Sequence, residues 1–411
     1  MKFLMVIIMV YSSSCLNAQE NILEDLLKSG NETLKQVYEN SEKFEVQIIY
    51  TQINRDEQNF PSFTKYRFNV DPKRYFYPAS TVKFPAAVLA LEKINKLNIE
   101  GLSKETSFRT DSVFSGQKGI STNVKSKSGL PSIEECIKEI LLVSDNESFN
   151  RLYEFLGQYK LNNSLHNKGY NDLKIIHRLS IALSEEQNRN TNPFTFYDDS
   201  GIIYEQSAEF NSVDFKLDLN NQFKGKGYLD WDNNLVNSPM DFSKKNFISL
   251  ETLQDILISV MFPYAVDESK RFDLTLDDYN FLYKYMSMFP RESTSPSYDL
   301  YDIYVKFFMF GNNKEPMPKN IRIFNKVGDA YGFLIDNAYI VDFDNNIEFL
   351  LSAVIHVNEN QIYNDGVYEY DKIGFPFLTE LGKAVYNYEL KRERKNTPNL
   401  SRFMINYNNL D

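Results

Sequence analysis

The chain is poor in cysteine and histidine, with two and three among its 411 residues. Two cysteines, Cys15 and Cys136, exclude a disulfide-stapled framework. His166, His177 and His356 have no partner at metal-ligand spacing, so no metal and no cofactor is implied. With no histidine near a serine motif, Ser-His-Asp chemistry is disfavoured as well. Basic excess is also missing: the net charge is −11 with both signs interspersed, which excludes a nucleic-acid surface. Low-complexity tracts and internal repeats are absent. What is present is ample apolar material for a large core, in one domain or two, with 27 tyrosines and 32 phenylalanines that favour strands and grooves over disorder.

The first residues, MKFLMVIIMVYSSSCLNAQE, place Lys2 before an apolar run to Tyr11 and small or polar residues up to Ala18. The run is too short to span a bilayer and reads as a secretory leader, residues 1–18, of a periplasmic or secreted protein. Cleavage after Ala18 leaves Cys136 as the remaining thiol, packed as a small apolar residue; the alternative is a lipid anchor on Cys15.

Chemistry concentrates in YFYPASTVKFPAAVLALEKINKL, Tyr75 to Leu97. Ser80 and Lys83 are three apart at the start of a helix and share a face, the arrangement of an activated serine nucleophile. Ser-x-x-Lys recurs at Ser62/Lys65 and Ser115/Lys118. The former lies in an alternating strand that splits the pair between faces, the latter in a glycine-flanked loop. After Ser80, Val82, Ala86, Ala87, Leu89, Ala90 and Leu91 build a wide apolar surface, so the helix is buried and its first turn sets the pair against a core.

Along the chain, short helices are expected over 20–41, broken near Ser29-Gly30-Asn31, then strands over 44–55 and 64–70. Ser132 and Glu135 cap a helix that ends at Ser144-Asp145-Asn146, a break before another helix closed by Gly157; a further helix covers 161–168. Residues 177–240 are polar, aromatic and loop-rich, with a hairpin at Asp198 to Gly201. Ser249 caps a helix to about Met261, and Thr275 with Asp278 another to about Met288. Leu300 to Phe310 fits helix or strand. The last third carries apolar-aromatic runs separated by Asp344-Asn345-Asn346, a hairpin signal, then a helix over 377–391. Strands at both ends with helices between predict an α/β (α+β) fold: an antiparallel sheet built from both chain ends, flanked by helices, with an enlarged helical lobe. The domain plan is a helical segment at 19–43, a main domain at 44–391 with an insertion at about 185–320, and a polar tail at 392–411.

Ser80-x-x-Lys83, Ser144-Asp145-Asn146 and, at the start of an apolar strand, Lys326-Val327-Gly328 occur in that order. Exact Lys-Ser-Gly triplets at 28–30 and 127–129 precede the Ser-Asp-Asn element and lack strand context. The ordered set resembles the penicillin-recognising serine hydrolases, class A β-lactamases in particular, over about Phe44 to Leu390. The resemblance implies a β-lactamase/transpeptidase-like fold and an acyl-enzyme on Ser80. Lys83 serves as base when neutral, which costs about 4 to 5 kcal/mol and calls for burial and a second cation, Lys326. Ser144 relays a proton, Asn146 holds the substrate amide and braces Lys83, and the N–H groups of Ser80 and of Asp329, past Gly328, form the oxyanion hole. Asp145 organises the loop.

Two departures stand out. Ser180 occupies the place of the family's deacylating glutamate in Arg178-Leu179-Ser180, with Glu185 and Glu186 read as solvated surface, and Val327 replaces a hydroxyl that helps hold a β-lactam carboxylate. The expected function is an exported serine hydrolase acting on a small-molecule or peptidoglycan-like amide or ester such as a β-lactam. An esterase or peptidoglycan peptidase with slow β-lactam deacylation is the alternative, and a non-catalytic binding protein the reading from another class. Phe194, Phe196, Tyr197 and Trp231 are candidates for core or for a substrate groove.

Overall fold

The computed structural model describes residues 21–112 and 118–407; the expected leader, with Cys15, and Ser115 of the third Ser-x-x-Lys pattern lie outside them. The helices, numbered in chain order, are α1 (Ile22–Ser29), α2 (Glu32–Glu39), α3 (Lys83–Leu97), α4 (Ile133–Val143), α5 (Asn146–Leu156), α6 (Gln158–Asn167), α7 (Glu185–Arg189), α8 (Leu250–Met261), α9 (Leu276–Ser287) and α10 (Phe375–Lys391). The strands used below are β1 (Gln47–Arg55), β2 (Pro61–Phe68), β3 (Ser107–Thr110), β4 (Phe194–Asp198), β5 (Gly201–Gln206), β6 (Ile321–Ala330), β7 (Phe333–Asp342) and β8 (Ile347–His356). Other strands in the segment 173–248 are two or three residues long.

The main sheet is antiparallel in the order β6-β7-β8-β1-β2, so the two ends of the chain meet where Ile49 of β1 pairs with Ser352 of β8. Every residue of β7 and β8 is buried, the pattern of a sheet covered on both faces. Alternation along β1 sorts its side chains: Ile48 and Tyr50 join a cluster with Leu23, Leu34, Phe377 and Leu381 of α1, α2 and α10, whereas Ile49 and Ile53 join Leu89, Leu253 and Leu257 on the other face. The helices over 20–41 therefore cover one face of the sheet, although the sequence set them apart as a separate segment. The charged tail also folds back: Phe403 is buried among Phe262, Phe324 and Tyr339.

The caps that were read from the sequence form. Ser132 Oγ accepts from Glu135 N at 3.1 Å, Ser249 from Thr252 N at 3.2 Å, and Thr275 with Asp278 makes a reciprocal box. Leu300 to Phe310 is neither helix nor strand; apart from a single 3-10 turn at Asp302–Val305 it is irregular. Its backbone is held by carboxylates instead, since Asp336 accepts from Phe307 N at 3.0 Å and Phe308 N at 3.2 Å. The insertion contributes α8 and α9 to the helical layer and also the hairpin β4-β5, which pairs with β3. Phe194 and Phe196 of that hairpin are core, Tyr197 is half-buried, and Trp231 is 87% exposed. Cys136 is buried in the core as expected.

Candidate active site

Ser80 lies in a 3-10 turn, Ala79–Val82, that leads directly into α3. In a 3-10 turn residues three apart eclipse, which aligns Ser80 with Lys83 more closely than an α-helix would. Ala79 before it has φ of +47°, a left-handed backbone that an alanine adopts only where surrounding structure holds it. That structure includes β6: a Cβ on Gly328 would sit 2.9 Å from both Pro78 O and Ser80 N. The glycine of Lys-Val-Gly thus lets the edge strand lie directly against the Ser80 turn.

The second element is the break between α4 and α5. Ser144 ends α4 with φ of +59°, and Asp145 Oδ1 accepts from Ser148 N at 2.9 Å to cap α5. That capping bond bears out Asp145 as the loop organiser. The turn aims Ser144 and Asn146 at the start of α3. Lys83 Nζ donates to the Ser144 carbonyl oxygen, to Asn146 Oδ1 at 2.8 Å and to Ser144 Oγ at 3.3 Å. Lys326 Nζ donates to the same Ser144 Oγ at 2.8 Å and to Val327 O at 2.9 Å. Ser80, Ser144, Asn146, Val327 and Asp329 line one cavity of about 990 Å³, into which Ser180 also faces.

Both lysines are buried, and no carboxylate pairs directly with either among the described residues. Burial, and next the nearby Lys326 ammonium, hold Lys83 well below the usual lysine range. Burial brings Lys326 down to about 7, with Asp329 and Asp336 pulling the other way. The lowered pKa favours the neutral amine of Lys83 relative to an exposed lysine, the direction that a base for Ser80 requires.

The loop that carries Ser180 is clamped from beneath. Asn150 of α5 donates to Leu179 O and accepts from Leu179 N, both at 2.9 Å, while Arg178 meets the buried Glu154 at 3.3 Å and Asn190 O at 2.7 Å. Ser180 has φ of +52° and its hydroxyl accepts from Asn146 Nδ2 at 2.8 Å. The residue singled out as a replacement for a glutamate thus sits on the site and touches Asn146. Glu185 and Glu186 are exposed on α7, and Glu185 pairs with Lys244 at 2.6 Å.

Sequence reasoning missed the aromatic wall. Tyr77 meets Tyr331 edge-on at 4.9 Å, and both line the cavity; His177, half-buried, stacks on Tyr77. The sequence signal of Tyr77 and Tyr331 was weak, because they are ordinary neighbours of motif residues in an aromatic-rich chain. Asn150 was likewise invisible, being one polar residue on a helix. The other candidates fall elsewhere: Ser62 and Lys65 are on β2, where Lys65 pairs with Glu251 and Asp255, and Ser29-Gly30 ends α1.

A model of the beta-lactamase enzyme family matches residues 31–205, a span that includes Ser80, Lys83, Ser144, Asn146 and Ser180 and stops before Lys326. No curated protein matches the chain. Among solved structures, a beta lactamase from Xanthomonas campestris pv. campestris is 13% identical with a TM-score of 0.47, over 89% of this chain and 98% of its own. PBP-A is 13% identical with a TM-score of 0.48, over 90% of this chain and 96% of its own. An ancestral class A beta-lactamase is 12% identical with a TM-score of 0.45, over 86% of this chain and 98% of its own.

Proposed function

We propose that the chain, which a model of the beta-lactamase enzyme family matches over residues 31–205, is a serine hydrolase acylated on Ser80 by an amide or ester substrate after export. The observation that carries this reading is the convergence of the two buried lysines on Ser144 Oγ, beside Ser80 in one cavity. Lys326 lies outside the family match, so its presence there is independent of it.

In the proposed reaction neutral Lys83 takes the Ser80 hydroxyl proton as Oγ bonds to the substrate carbonyl carbon. The N–H groups of Ser80 and Asp329 receive the developing oxyanion, one from the 3-10 turn and one from the end of the edge strand that Gly328 brings close. The proton then passes from Lys83 through Ser144 to the leaving nitrogen or oxygen as its bond to carbon breaks. Lys326 keeps the Ser144 hydroxyl oriented, and Asn146 braces Lys83 while its amide is available to the substrate.

Ser180 favours a substrate other than a rapidly hydrolysed β-lactam. A hydroxyl bonded to Asn146 is a poor base for activating the water that must attack the acyl-enzyme. The reading is thus an esterase or peptidoglycan-directed peptidase that a penicillin acylates and leaves slowly. The test is intact mass after incubation with a reactive penicillin or a fluorophosphonate. One adduct on the wild type, persisting for hours with penicillin and missing in Ser80→Ala, is expected. No adduct, or an equal adduct on Ser80→Ala, refutes the proposal, and rapid nitrocefin hydrolysis refutes the slow-deacylation part.

A further inference from the structure

A second cavity, of about 1320 Å³, adjoins the first, sharing Ser180, Tyr331 and Asn364 with it. Its walls come from the loop after Arg178 and from residues 213–245 of the insertion. Most charged side chains there are already matched: Arg178 with Glu154, Arg189 and Lys216 with Asp214, and Lys244 with Glu185. Asp230 accepts from the N–H groups of Asp232 and Asn234 in its own turn.

Lys174 and Lys245 differ. Among the described residues neither forms an ion pair. Lys174, 3% exposed, donates to the Ser243 carbonyl at 2.5 Å, and Asp241 favours its charge from outside the lining without bonding it. Lys245 has its Nζ 5.9 Å from the centroid of the Tyr331 ring, the ring that both cavities share. Burial draws both lysines below the usual range, a desolvation cost that an anion entering the cavity would offset. At the rim stands Trp231, the one tryptophan of the chain and 87% exposed. An indole left in solvent on the lining of a cavity that also carries two lysines without ion pairs is a surface for an amphipathic ligand with a negative group.

We propose that this cavity is a substrate subsite, resting on the reading of Ser80 as the acylated residue, and that it takes a carboxylate-bearing, peptide-like arm of an extended substrate. Lys174 and Lys245 hold the carboxylate and Trp231 covers the apolar part of the arm. Ser180 and Tyr331, common to both cavities, mark the passage between the arm and the reacting carbonyl.

The test uses Trp231 as reporter, so it does not depend on turnover. N-succinyl-L-phenylalanine and its neutral diamide are titrated into wild type, Ser80→Ala and the double variant Lys174→Met/Lys245→Met, following tryptophan emission. Saturable quenching by the dicarboxylate in wild type and Ser80→Ala, weakened about tenfold or more by the diamide, by the double variant and by added salt, is expected. No response in the wild type, or equal binding of the diamide, overturns the subsite. Single variants at each lysine, checked for native circular dichroism, stand in if the double variant does not fold. A parallel assay compares p-nitrophenyl esters of succinyl-phenylalanine and acetyl-phenylalanine, where the ratio of their kcat/KM values should fall about tenfold in the double variant. Inert esters with intact dicarboxylate binding would sink the acylation reading and leave the subsite standing, so the two failures are separable.

Discussion

Lys326 Nζ lies 2.8 Å from Ser144 Oγ while Lys83 Nζ approaches the same oxygen at 3.3 Å, so one hydroxyl stands between two buried lysine side chains. Where one lysine donates to this oxygen, the hydroxyl's own proton is left to point to the other amine when that amine is neutral, or to a substrate. That arrangement suits a relay. Replacing Ser144 with alanine removes the shared acceptor while Ser80, the proposed nucleophile, stays, and acylation by a reactive ester should slow by about 10² to 10⁴. Stopped-flow acylation of Ser144→Ala at unchanged circular dichroism checks this; a loss under threefold would remove Ser144 from the proton path.

The depressed pKa of Lys326 makes a stability prediction with a definite sign. Its folded value, about 7, lies below the ordinary 10.5, so between those limits the unfolded chain binds the extra proton and folding becomes more favourable as pH rises. The effect is up to ~1.4 kcal/mol per pH unit for one group. Lys326→Met has no such group, so its stability advantage over the wild type should shrink from pH 7 to 10 in urea melts. A constant difference across that range would show that Lys326 titrates normally.

Gly328 is constrained by contact, not by an unusual φ. A methyl group there meets Pro78 O and Ser80 N at 2.9 Å, which forces β6 and the Ser80 turn apart. Gly328→Ala should lose about 1–3 kcal/mol and most of its acylation rate while keeping its secondary structure. Wild-type acylation in that variant would mean that the strand need not touch the turn.

Ser180 offers a gain-of-function experiment. Its side chain already reaches Asn146, so Ser180→Glu places a carboxylate at the acyl-enzyme. The lifetime of the penicillin adduct should shorten by about tenfold or more, read by mass spectrometry after desalting. An unchanged lifetime would show that the loop does not deliver the group to the attacking water.

Glu154 is completely buried between Arg151, at 2.9 Å, and Arg178, at 3.3 Å. Glu154→Ala takes this carboxylate from the buried Arg178, while Arg151 keeps its ion pair with Glu147, and should cost about 3–5 kcal/mol. Because Arg178 starts the Ser180 loop, protease sensitivity over 178–189 should rise in the same variant, measurable by limited proteolysis.

Much of the fold was legible because local chemistry agreed with it. The caps at Ser132, Ser249 and Thr275, and the hairpin at Asp344 to Asn346, depend on neighbours within a few residues. Leu300 to Phe310 was not legible, because the carboxylate of Asp336 on β7, a partner distant in the chain, dictates its backbone. The packing of α1 and α2 on the sheet was hidden for the same reason: their apolar stripes show that each covers something, not what.

The sequence by itself determined the setting of Ser80 and Lys83, since a serine and a lysine three apart before an apolar helix must share a face against a core. It also determined the order of the three motifs. Only the tertiary structure decided that the lysine of the weakest motif, Lys326, reaches Ser144, that Ser180 touches Asn146, and that Lys174 and Lys245 face a common cavity. Those relationships join residues separated by up to 182 positions. Distances of that kind follow from how sheet edge, helix ends and loop are packed, which no local pattern encodes.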